Sequence, residues 1–147
     1  MAPTDTERQW QIHVEGDQPV VVSSDSQLES DGYTVVRDSR GFECASGDWI
    51  EREWTGVSVL ELLEDAEIPP ETTHIQLESV DGYRACVPLT DLDDAIVAVG
   101  TGDAFPRFIS PHALGPRNIK ALTHVRPLVL APDEDRERYE KLPIDDK

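Results

Sequence analysis

The stretch Gly41–Ala66, G-F-E-C-A-S-G-D-W-I-E-R-E-W-T-G-V-S-V-L-E-L-L-E-D-A, decides how the chain is read. Cys44 follows an aromatic residue near the end of a strand-like run. A Gly-containing turn, Trp49, Trp54 and a short helix come after it. Ser58 and Glu61 have capping-box spacing, and Val59, Leu62, Leu63 and Ala66 form one apolar stripe. That pattern predicts a helix closed off by Pro69-Pro70. A thiol held between a strand and a turn is placed either to be buried or to face a ligand.

Upstream, residues 1–9 read as a flexible N-terminal tail. Trp10–Glu15 sets Trp10, Ile12 and Val14 against Gln11, His13 and Glu15, the period of a half-buried strand. Gly16-Asp17 turns the chain into a second strand over Val20–Val22. Tyr33–Val36 is strand-prone, and Gly41–Ala45 continues it after a break. Downstream, His74–Leu77 and Tyr83–Val87 are expected to pair as a hairpin across Asp81-Gly82. Thr90 and Asp93 repeat the capping spacing ahead of Leu92, Ala95, Ile96 and Val99, with Gly100 at the C-cap position, which predicts a second helix. Ile119–Leu130 holds one or two final strands broken at Pro127. Residues 132–147 read as an acidic C-terminal tail with one helical turn near Arg136–Glu140. The fold class is therefore α+β, mixed β-sheets with short helices, and the domain proper is 10–131.

Thirteen Lys and Arg stand against 30 Asp and Glu, a net charge of −17. Such a surface repels phosphate backbones, which argues against nucleic acid as a partner. Carboxylates in this excess destabilise a compact fold unless salt screens them, and only Lys120, Lys141 and Lys147 are lysines. The expectation is a halophilic-type protein of a salt-rich cytoplasm. No apolar run approaches the roughly 20 residues that cross a bilayer, so no membrane partner is expected. Cys44 and Cys86 are too few for a disulfide framework, which suits a reducing compartment.

The charge changes sign in one place. Ala104–Ala131 contains no Asp or Glu, yet carries Arg107, Arg117, Lys120 and Arg126 together with His112 and His124. A positive segment in so acidic a chain would suit an anion, since arginine grips oxyanions as a fork and lysine adds a compact charge. The same groups could instead pair with carboxylates elsewhere. Pro106, Pro111 and Pro116 stiffen the segment and Gly115 permits a tight turn, so backbone N–H groups could join Arg117, Asn118 and Lys120 around a phosphate.

Taken residue by residue, Cys44 is a buried thiol, a soft-metal ligand or a nucleophile. His13, His74, His112 and His124 show no zinc-ligand spacing with the cysteines. No serine sits in a G-x-S-x-G elbow, and neither G-x-x-x-x-G-K nor G-x-G-x-x-G occurs. Cys86, between Ala85 and Val87, reads as core, and Trp49 and Trp54 read as packing residues, one of which could line a pocket.

Four pieces in order carry a resemblance: C-A-S-G-D-W; W-T-G-V-S-V-L-E-L-L; S-V-D-G-Y-R-A-C-V-P-L-T-D-L-D-D-A-I-V-A; and P-R-F-I-S-P-H-A-L-G-P-R-N-I-K-A-L. Over Trp10–Leu130 they resemble the molybdopterin-binding domain of the sulfite oxidase family and its bacterial sulfoxide-reducing relatives. The resemblance implies that fold, a molybdenum-pyranopterin cofactor and two-electron oxo transfer. It implies that Cys44 is the metal ligand and the catalytic sulfur. It places Arg107 and Lys120 on the positions that hold the pterin phosphate, with His112, Arg117 and Asn118 as neighbours. The substrate it implies is a small sulfur oxyanion or sulfoxide. The family's longer loop before Pro106 is replaced by G-T-G-D-A-F, so a completing subunit or an external electron-transfer protein is an expected partner.

Three readings follow: a molybdopterin-dependent oxidoreductase or its cofactor-binding part, a non-catalytic scaffold module on the same fold without metal, and a thiol enzyme or other small-molecule binder.

Overall fold

Period-two burial builds the larger of two sheets. The computed structural model describes residues 10–23, 33, 35–43, 48–99, 105–113 and 117–142. Among these the regular elements run β1 (Gln11–Val14), β2 (Val20–Ser23), β3 (Val35–Glu43), β4 (Trp49–Ser58), α1 (Val59–Ala66), β5 (His74–Ser79), β6 (Arg84–Pro88), β7 (Ile96–Ala98), β8 (Arg107–Ile109) and β9 (Leu122–Leu128). The first sheet has the order β2-β1-β9-β5-β6 and the second β3-β4-β7-β8. All pairs are antiparallel except β1 with β9. Ile12 and Val14 of β1, Ile75 and Leu77 of β5 and Val125 of β9 face one core, which Val57, Leu62, Leu63, Val97 and Phe108 fill from the other elements.

The predicted helix forms as α1. Ser58 accepts a hydrogen bond from the Glu61 N–H at 3.3 Å, and Val59, Leu62, Leu63 and Ala66 are buried. Burying each leucine contributes about 2 kcal/mol. The helix stops before the prolines: Glu67 takes a left-handed conformation (φ 54°), and Ile68 N–H reaches back to Leu63 O at 3.4 Å. The turn after β1 docks on this end, with Gln18 N–H donating to Ala66 O at 2.9 Å. Gly16 is required there, because a Cβ would stand 2.2 Å from that same carbonyl oxygen.

The hairpin across Asp81-Gly82 is as expected. Ser79 Oγ accepts from the N–H groups of Asp81 and Tyr83, and Gly82 supplies a positive φ of 89°.

Three expectations are corrected. Residues 90–99 are not a helix. Leu89–Leu92 makes a single 3-10 turn without a side-chain cap, Asp94 turns left-handed (φ 63°), and Ile96–Ala98 becomes β7, buried between β4 and β8. A strand covered on both faces is apolar throughout, so Ala95, Ile96 and Val99 imitate a helical stripe. Nor is β3 broken: it runs unbroken from Val35 to Glu43 against β4, a strand that the sequence reading left out. The Trp49 indole lies over Gly41, whose absent Cβ would stand 2.3 Å from the ring. Pro127 also does not interrupt β9, where it lies opposite Ile75. Leu128 O accepts from β5's neighbour Thr73 and Val125 O from Glu15, so odd positions face β1. β1 has ended by position 127, and the missing N–H is not needed.

Beyond residue 131 the described residues, 132–142, carry structure of their own. Arg136–Tyr139 makes a 3-10 turn, and Lys141 pairs with Arg84 on the outer edge of β6.

Candidate cofactor site

The acid-free segment folds back on itself. Phe108 N–H donates to Ile119 O at 3.0 Å and Leu122 N–H to Pro106 O at 2.8 Å. Arg107 and Lys120 therefore stand on facing backbone stretches. Arg107 is half-buried, and its Nε donates to Asn118 O at 3.2 Å. Lys120 is exposed and makes no ion pair with a described residue.

Asn118 fastens the loop between them. It is only 2% exposed, accepts from Ser110 N–H at 2.8 Å and donates to Ala113 O at 3.0 Å. Ser110, fully buried, donates in turn to Asp91 O at 2.6 Å and accepts from His112 N–H at 3.1 Å. These bonds leave the His112 side chain exposed at the loop surface. A buried amide with donor and acceptor both used holds a loop more firmly than either alone.

The other two arginines of the segment are neutralised. Arg117 grips Glu140 as a fork, Nε and Nη2 each 2.8 Å from a carboxylate oxygen, and this pairing holds its pKa above the usual arginine value. Glu140, its side chain 3% exposed, also accepts from Cys86 N–H at 2.8 Å. Arg126 pairs with Glu78 at 2.6 Å and Glu15 at 3.0 Å, and that hydrogen bond is the main reason Glu78 titrates below an ordinary carboxylate. Arg117 and Arg126 are thus turned to carboxylates of other elements. Glu140 is the residue that sequence reasoning missed. It sits in R-E-R-Y-E-K-L, a charged run that looks like a solvated tail.

Cys86 is fully buried, and desolvation pushes its thiol up to about 11. Cys44 lies in the connection between β3 and β4, outside the described residues. The nearest described pair is Glu43 opposite Trp49, and the Trp49 side chain is exposed. Along β4, seven positions separate Trp49 from Gly56, whose row leads through Ala98 to Arg107; that is about 23 Å of extended strand. Among the described residues no group of three His, Cys, Asp or Glu side chains could hold a metal ion. A cleft of about 200 Å³ opens beside Pro106 and Ala121, walled by Trp10, Val80, Phe105 and Thr123. No helix among the described residues is long and apolar enough to cross a membrane.

A family model described as "Oxidoreductase molybdopterin binding domain" matches residues 1–131. The chain belongs to this family. No curated protein matches it. The solved structure of the sulfane dehydrogenase SoxCD from Paracoccus pantotrophus is similar in fold, with a TM-score of 0.70 at 19% identity over 87% of this chain. The match spans 40% of that SoxCD chain. The mixed-sheet α+β architecture read from the sequence is thus the architecture of the family's domain.

The described residues suit the phosphate end of a pyranopterin. Arg107 offers a guanidinium and Lys120 an ammonium on adjacent stretches, in a segment with no carboxylate of its own. Asn118 and Arg117 serve the backbone that carries them. Cys44 lies outside the described residues, so the described structure brings Arg107 and Lys120 onto adjacent stretches but does not bring Cys44 together with them.

Proposed function

We propose that this domain holds a molybdenum pyranopterin, its phosphate between Arg107 and Lys120 and its metal on the Cys44 sulfur. It serves two-electron oxo transfer to or from a small sulfur oxyanion or sulfoxide. The observation that supports the proposal is the pairing of residues 106–108 with 119–122, which brings together the backbone stretches that carry Arg107 and Lys120. Family membership supports the class of cofactor, and a sulfane dehydrogenase of similar fold supports sulfur chemistry.

When bound, the cofactor supplies a two-electron redox centre for moving an oxygen atom. The chain's own part is to bind and orient. Arg107, tied by Nε to Asn118 O, presents its guanidinium in a fixed direction, and Lys120 adds a mobile point charge from the exposed side. Asn118 keeps the loop from opening, and His112 stands at its rim. The Cys44 thiolate is a soft donor suited to a soft metal centre. A completing subunit and an external electron-transfer protein belong to the proposal, as the short G-T-G-D-A-F connection before Pro106 suggests. So does a salt-rich cytoplasm.

Protein made in a host that synthesises the cofactor, purified in high salt, is expected to carry molybdenum and to release the fluorescent oxidised pterin. Cys44→Ser should lose molybdenum and keep its circular dichroism. Neither metal nor pterin in the parent protein would leave the metal-free scaffold.

A further inference from the structure

The family match ends at residue 131, yet among the described residues the most completely buried carboxylate paired with an arginine lies beyond it. Residues 139–142 form a strap along the outer edge of β6. Lys141 exchanges two backbone hydrogen bonds with Arg84, at 2.7 and 2.9 Å, and Tyr139 O accepts from Gln76 Nε2 at 2.9 Å. Between these anchors Glu140 turns inward. Its carboxylate takes three donors, Nε and Nη2 of Arg117 and the N–H of Cys86, all at 2.8 Å. Arg117 precedes Asn118, the residue whose carbonyl receives Arg107 Nε and whose amide fastens the 110–113 loop. Lys120 follows three residues later. One buried carboxylate thus bears on the backbone that carries Lys120 and that receives Arg107 Nε at Asn118 O.

We propose that the strap is a clasp for the phosphate-binding segment, with Glu140 a positioning residue that acts through Arg117. Its phosphate role rests on the function proposed above; its mechanical role does not. The clasp also covers the N–H of Cys86 on an edge strand that would otherwise be open to another chain.

The sign of the effect on anion binding separates positioning from plain electrostatics. Glu140→Gln removes a negative charge beside Arg117, which by Coulomb's law alone strengthens anion binding. Positioning demands the opposite. The test uses the full chain without cofactor, comparing the parent with Glu140→Gln and with Arg117→Lys, which keeps the charge and loses the fork. Amide hydrogen exchange is read at Phe108, Ser110, Ala113 and Leu122, with Ile12, Val14 and Val57 as remote references.

Both variants are expected to exchange about tenfold or more faster at the four loop amides, with the references within about twofold. Titration with inorganic phosphate at fixed ionic strength should show affinity reduced about threefold or more in Glu140→Gln despite its lost negative charge. Uniform acceleration at all sites, or none at the loop, would overturn the clasp. Unchanged or tighter phosphate binding in Glu140→Gln would overturn its positioning role. If the parent binds no phosphate, the functional proposal fails while the exchange result still decides the clasp.

Discussion

Replacing Asn118 by Leu removes the amide without much change of volume. Two buried partners are then stranded, the Ser110 N–H and the Ala113 carbonyl, in residues that are 0% and 2% exposed. Each unsatisfied buried group costs about 1–3 kcal/mol, and an alternative water partner is excluded by the burial. The sum is about 4 kcal/mol for cofactor-free protein, which in a chain of this length lowers Tm by roughly 10 °C. Asn118→Asp should lose nearly as much, because a carboxylate cannot donate to Ala113 O and is repelled by it. Urea unfolding, followed by tryptophan fluorescence at fixed salt, measures both. A residue whose task is to touch bound phosphate would behave differently, losing ligand affinity with stability intact. A change below about 1 kcal/mol in Asn118→Leu would refute the loop-fastening role.

Other outcomes follow from single features. Gly16→Ala should destabilise by about 2 kcal/mol or more in thermal unfolding, since its Cβ would meet Ala66 O at 2.2 Å. Cys86, held at about 11, should alkylate with iodoacetamide at pH 8 at least about 100-fold more slowly than in urea, by peptide mapping. Its folded pKa is raised above the unfolded one, so the stability it contributes is complete below pH 8.5, roughly, and is lost as the pH rises towards the folded value. Glu78 has the opposite sign: its folded pKa is depressed by Arg126, so its contribution is present above the usual carboxylate range and is lost on acidification. Arg126→Met should flatten that acid limb. With a net charge of −17, Tm should rise between 0.1 M and 2 M KCl as the screening length falls from about 10 Å to below about 3 Å.

Patterns that depend on one face of one element were legible in the sequence. The Ser58–Glu61 cap, the alternation of β1 and the Asp81-Gly82 turn each carry their own local physics. Patterns that depend on what lies on the far side were not. Ile96–Ala98 looked helical because both of its faces are covered, Val97 by the larger core and Ile96 and Ala98 by Trp54 and Ile109, and nothing near it in sequence announces either. β4 and the middle of β3 hid because Asp38, Ser39, Arg40, Glu51, Arg52 and Glu53 are strand residues of a two-stranded ribbon, too polar for a core strand. In the site, the absence of acids from 104–131 drew attention to a segment of unusual charge. It could not show that Arg117 reaches Glu140 or that Arg126 reaches Glu15 and Glu78, partners far away in the chain.

The central claim is that Arg107 and Lys120 together hold the cofactor's phosphate. The direct measurement is pterin content in the double variant Arg107→Ala/Lys120→Ala, made alongside the parent in the same cofactor-producing host and purified at the same salt. The account predicts loss of about nine tenths or more of the bound pterin with the fold retained, because both phosphate cations are gone. Pterin content equal to that of the parent would contradict it.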